Sequence, residues 1–209
     1  MDEQALVATR RSLHAVAEQL LAGPQYRERG TIRLRITPGG FAQLTGPWRV
    51  EGAELVGALD TGPVRVPLTG TVAEVAAAAG IEPGVPEGLY PDHADLGADG
   101  GLAVDTDALS LLAGWFERGD AGLRAFAPDV EPVLWPEHFD LGITVGEVNY
   151  GVSPGDANEP EPYAYIGPWT PRTGGFWNAP FGAIRAMDEV SAVDDLVEFF
   201  AEGRRQADG

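Results

Sequence analysis

The 209-residue chain has no cysteine and no lysine. Without cysteine there is no disulfide, no thiolate nucleophile and no zinc–thiolate site. The 14 basic residues are all arginine and stand against 32 acids, a formal net charge of −18. No basic run exceeds two residues (Arg10-Arg11 and Arg204-Arg205). Nucleic-acid binding needs a cationic surface that releases phosphate counterions, and anionic membrane surfaces select for the same charge. The charge balance argues against both partners. No apolar run approaches the ~20 residues that span a bilayer. The start, MDEQALVATRR, is acidic and leads into a helical pattern, so it does not read as a signal peptide. Cytoplasm is the expected location. Gly39-Gly40, Gly100-Gly101 and Gly174-Gly175 lack the lysine of a phosphate-binding Walker loop.

What the sequence does have is turn chemistry. Its 28 glycines and 17 prolines stay below the ~25–30% that marks low-complexity disorder, yet they predict many short elements. Leu6, Leu13, Val16, Ala17 and Leu20 recur at helical spacing over residues 4–22, and Gly23-Pro24 is expected to stop that helix. Ile32, Leu34 and Ile36 alternate with Arg33 and Arg35 as a strand. Short strands are expected over 41–44, 48–50, 54–59 and 64–68, with a turn at Asp60-Thr61-Gly62-Pro63. Thr71 and Glu74 form a capping box, and Gly80 closes the helix that follows. Residues 82–104 show no periodicity and read as a linker or long surface loop. Asp105 then caps a second long helix striped by Leu109, Leu112, Phe116, Leu123 and Phe126, with a break expected near Gly119-Asp120. His138–Val145 is the cleanest strand, with Val148–Val152 returning and Pro162–Gly167 beyond it. Phe176-Trp177 and Phe181–Ile184 are shorter strand candidates. A last helix carries Val193, Leu196, Val197 and Phe200.

The expected fold is α+β, with antiparallel sheets and packed helices. The order allows two helix–strands–helix halves, 1–84 and 105–209 joined by 85–104, or one mixed sheet. Residues 105–209 carry 19 acids and six arginines, against 13 and eight in residues 1–104. Such an acidic half suits solubility or a cationic partner.

Chemistry concentrates in residues 135–182. That stretch holds three of the five tryptophans, three of the five tyrosines and all three asparagines. On an extended strand His138 and Asp140 fall on one face, ~6–7 Å apart, with Glu147 just past the hairpin. One reading is therefore an enzyme of hydrolase or isomerase type, with His138, Asp140 and Glu147 as its catalytic groups. The other is a module that binds a small molecule or a cationic protein surface. Its ligand-binding residues would be Asn149, Tyr150, Tyr163, Tyr165, Trp169 and Trp177, presented on short proline-bounded loops. Asp156, Asn158 and Glu161 space oxygen ligands as calcium loops do, but no glycine holds the sixth place and no helix pair flanks them. A solvated acidic loop is expected there, with neither metal nor cofactor. Ser153 in GVSPG is not a nucleophile elbow, because Pro154 follows it and no helix opens. His14 and His93 read as structural or exposed.

The segments WPEHFDLGITVGEVNYGVSPGD, EPYAYIGPW and FWNAPFGA resemble a family of actinobacterial proteins that carry no assigned function. LHAVAEQLLAGPQYRERGTIRLRITPGGFA and VEFFAEGRR fit the same family, so the resemblance spans nearly the whole chain. A second uncharacterised actinobacterial group is similar in its order of elements, with an FDLAV-like strand before an acidic, aromatic stretch. All-arginine usage with abundant alanine, glycine and valine agrees with a GC-rich genome. Neither likeness implies an activity.

Overall fold

A computed structural model describes residues 2–59, 62–91 and 93–208. Asp60 and Thr61 of the expected turn lie outside the described residues. The chain is α+β, and every strand pairing given below is antiparallel. It divides into two compact units. Unit 1 takes residues 1–114 and 134–139; unit 2 takes 115–133 and 140–209. The division thus falls elsewhere than at residues 85–104, which belong to unit 1.

Unit 1 opens with α1 (Glu3–Val16), capped by the Asp2 carboxylate, which accepts from the Gln4 N–H at 3.0 Å. The helix does not stop at Gly23-Pro24. It widens into a π-helical turn, Ala17–Ala22, and continues as α2 (Gly23–Arg29) to a left-handed Gly30. Proline explains the widening. Pro24 has no N–H to return to the preceding turn, and its ring crowds a normal α-helical path. The Gln19 carbonyl that a π-helical residue 24 would bond accepts instead from Gly84 N–H, at 3.0 Å.

The strands follow as an antiparallel meander: β1 (Leu34–Thr37), β2 (Gly40–Gln43), β3 (Arg49–Glu51), β4 (Glu54–Leu59) and β5 (Gly62–Pro67). Next comes α3 (Val72–Ala79), with the expected capping box on Thr71 and Glu74 and a left-handed Gly80. Residues 82–104 then run back as a strap fastened to the unit. Gln19 Nε2 donates to the Leu96 carbonyl at 2.6 Å, and Ala73 N–H to the Ala98 carbonyl at 2.8 Å. Leu102 N–H reaches the Gly70 carbonyl at 2.7 Å, and Ala103 N–H the Ser12 hydroxyl at 2.9 Å. A stretch without periodicity has no ladder of its own, so its polar backbone is satisfied by its neighbours.

α4 (Thr106–Phe126) begins where Asp105 Oδ1 accepts from Asp107 and Ala108 N–H. It is continuous through Gly119-Asp120, against the expected break. An added Cβ on Gly119 would strike the Val152 side chain, so this glycine is there for close helix–sheet approach. β6 (Val133–Trp135) sets Leu134 opposite Leu34 within unit 1.

In unit 2, β7 (Asp140–Val145), β8 (Val148–Ser153), β9 (Tyr163–Pro168) and β10 (Ala183–Ala186) pair in chain order, and α5 (Val193–Asp208) packs on them. Phe176 and Trp177 form a turn and loop rather than a strand. The register puts Leu141, Val152 and Ala164 in one row and Ile143, Tyr150 and Ile166 in the next. All six are buried, and Tyr150 packs against the rings of Phe126 and Phe200.

Candidate functional site

The opposite face of the unit 2 sheet carries Asp140, Gly142, Thr144, Asn149, Gly151, Ser153, Tyr163, Tyr165 and Gly167, by strand alternation. One end of this face is closed. Tyr165 lies over the paired glycines Gly142 and Gly151; a Cβ on Gly142 would sit 2.7 Å from its hydroxyl. That hydroxyl donates to Asp140 Oδ2. Burial first, then the Asp140 charge, raises the Tyr165 pKa well above its ordinary value. Tyr163 is buried beside it and donates to Asp156 Oδ2 at 2.6 Å. The Asp156 carboxylate also takes the Asn158 and Glu159 N–H groups, at 2.6 and 2.9 Å. Each tyrosine hydroxyl is thus bonded to one acid, Tyr163 to Asp156 and Tyr165 to Asp140.

The other end of the face is open. Thr144, Asn149 and Gly167 form an exposed or half-exposed cross-strand row. Asn149 Oδ1 accepts from the Thr144 hydroxyl at 2.8 Å and from the Trp169 indole N–H at 3.3 Å. The Trp169 backbone N–H is tied to the Glu147 carbonyl at 2.8 Å. Trp169 is nevertheless 63% exposed, and Phe181, whose carbonyl faces Gly167, is 50% exposed. The Asn149 oxygen is used by both bonds, so its amide hydrogens are the part offered outward.

The three residues expected to be catalytic differ in setting. His138 is an exposed residue of unit 1, ahead of β7, and has Glu137 3.9 Å away. The strand starts at Asp140, because Phe139 takes a positive φ of 53°. Phe139 is held there by stacking on His14 (centroids 5.6 Å apart) and by an edge contact with Phe41 at 5.4 Å. The alternation that put His138 on one face with Asp140 is broken at this residue. Asp140 is engaged by Tyr165, and Glu147 stands in the β7–β8 turn. Tyr150 belongs to the core, 1% exposed. Trp177 is half-buried with its ring edge-on to Phe176 at 4.9 Å. Of the residues expected to bind a ligand, Asn149 and Trp169 are brought into contact.

Elsewhere, a shallow depression of about 490 Å³ in unit 1 is lined by Pro47, Val56, Ala58 and Pro63 with Arg49 and Arg65. Both arginines are already paired, Arg49 with Glu51 at 2.7 Å and Arg65 with Glu51 and Glu54 at 2.6 Å. It offers an anion little unspent charge. Among the described residues no group of three or more His, Asp or Glu side chains could hold a metal, and no helix is long and apolar enough to cross a membrane.

A further group escaped the sequence reading. Glu18, on the π-helical turn, is fully buried and bonded to His93. The available signal was a charge inside the otherwise apolar run Ala15-Val16-Ala17 … Leu20-Leu21-Ala22. No family model, curated protein or solved structure matches the chain.

Proposed function

We propose that unit 2 is a binding module whose open strip, Thr144, Glu147, Asn149, Trp169 and Phe181, takes a cationic and partly apolar protein segment. The observation that carries this reading is Trp169. A tryptophan left to packing alone buries most of its large apolar surface. Here the indole is anchored at both its N–H and its backbone and still presents most of its area to solvent. An anchored aromatic face costs little further ordering on binding and attracts cations through its ring quadrupole. Glu147 stands beside it, and unit 2 is strongly acidic, so a basic segment is steered to this surface. The Asn149 amide suits a backbone carbonyl of the same segment.

The test is calorimetric titration of the full chain with a short peptide alternating leucine and arginine. Trp169→Ala should weaken binding about tenfold, equivalent to ~1.4 kcal/mol. A variant that binds as tightly as the wild type removes the strip from the account.

A further inference from the structure

Independently of that strip, unit 1 holds a carboxylate–histidine pair built by the π-helical turn and the strap. Glu18 Oε1 lies 2.6 Å from His93 Nδ1, and Oε2 accepts the Ala94 N–H at 2.8 Å. Both carboxylate oxygens are thus fixed, and the Glu18 side chain has 0% exposure while that of His93 has 33%. A carboxylate on Nδ1 holds the imidazole in the Nδ1–H tautomer and turns the Nε2 lone pair to the opposite edge. Tyr90 flanks the ring, 5.2 Å away and tilted 49°. Burial first, then the Glu18 charge, keeps its phenol protonated and a donor. π-Helical turns recur at functional sites, and this one places Glu18 and Gln19 together under the strap.

We infer that Glu18 and His93 form a proton-transfer site, in which His93 Nε2 takes a proton from a neutral or cationic planar organic substrate lying against Tyr90. The substrate's C–H or O–H bond breaks and leaves its electron pair on the substrate. The proton forms a new N–H bond at Nε2, while the Nδ1 proton stays in its bond to Glu18. Water removes the Nε2 proton afterwards. His93 is the catalytic residue and Glu18 the positioning residue, orienting the ring and stabilising the imidazolium. Glu18 and Glu137, whose charges both reach Tyr90, set the site against anionic substrates. The exposed Leu89 adds an apolar neighbour in the chain to Tyr90.

The probe is 5-nitrobenzisoxazole, a neutral planar compound that opens to a coloured cyanophenolate when a base removes one C–H proton. The full chain should open it at least ~10-fold faster than free imidazole at equal concentration, a conservative share of the ~10²–10⁴ a positioned base supplies. His93→Gln, which keeps an amide donor for Glu18 but cannot take the proton, should fall to background. Glu18→Gln should lower kcat, shift the pH profile and move the His93 ¹⁵N resonances away from the Nδ1–H tautomer. A wild-type rate no higher than that of imidazole overturns the inference, as does full activity in His93→Gln. If His93→Gln does not fold, the tautomer decides: wild-type His93 protonated at Nε2 alone also overturns it, leaving a structural tether.

Discussion

His14 is half-buried, donates from Nε2 to the Pro136 carbonyl at 2.7 Å and stacks on Phe139. Burial lowers its pKa below the ordinary 6.5, outweighing the Pro136 bond and the charges of Glu18 and Asp95. Below pH 6.5 the unfolded chain therefore takes up a proton that the folded chain resists. The stability tied to this residue is full above 6.5 and is lost as the pH falls through and beneath that value. Urea midpoints between pH 7.5 and 5 should fall more steeply for the wild type than for His14→Gln; parallel slopes would contradict the burial argument. Asp140 carries a different expectation. The sequence presents it as a free polar-face residue, but it accepts from a buried phenol. Asp140→Ala should cost about 1–3 kcal/mol, the cost of stranding a buried hydroxyl, whereas His138→Ala should stay within about 0.5 kcal/mol as an exposed change. Equal effects in denaturant melts would undo the distinction. Single-residue chemistry of this kind was only half legible. The proline-bounded aromatic stretch pointed to Trp169 and Asn149, which the structure places in contact. The partners of Asp140, His14 and Glu18 were not, because each lies 25 or more residues away along the chain and hydrogen-bond partners leave no periodic trace.

Glycine meant different things along α4. Gly114 has nothing within 4 Å of an added Cβ, while Gly119 is pressed against Val152. Gly114→Ala should stabilise the protein by up to about 1 kcal/mol through helix propensity. Gly119→Ala should destabilise it by about 1–3 kcal/mol through overpacking. Thermal melts of the two variants should move in opposite directions; movement in one direction would mean that propensity alone governs this helix. From sequence both residues read as helix weakeners, since propensity cannot see the opposite surface. The strands were legible almost to their ends wherever alternation and turn residues agreed, as at 54–59 and 148–153. They failed at Phe139, where a left-handed backbone angle interrupts an unbroken alternating pattern. Pro24 misled in the same manner. It was expected to end a helix, yet a widened turn absorbs it and hands the spare carbonyl to Gly84. The strap over 82–104 had no pattern to read because its bonds are made to other elements.

Over the whole chain, a net charge of −18 with no lysine attracts cationic solutes, and in the proposed function the strip around Trp169 gives that charge a specific place to act. Diffuse acidity alone would attract any basic solute weakly and everywhere, and that attraction would vanish as salt screens it. An anchored aromatic site adds a contribution that depends on one side chain and resists screening. The decisive measurement is a ¹⁵N–¹H titration of the full chain with the leucine–arginine peptide at ~0.15 M salt, where exposed charges are screened beyond ~8 Å. The glutamate counterpart of the peptide serves as control. Shifts are expected at the Trp169 indole N–H, the Asn149 side-chain amide, and the backbone of Thr144 and Gly167. None are expected with the glutamate peptide, and the response should be lost in Trp169→Ala. Shifts spread evenly over the acidic surface and unchanged in Trp169→Ala would contradict it.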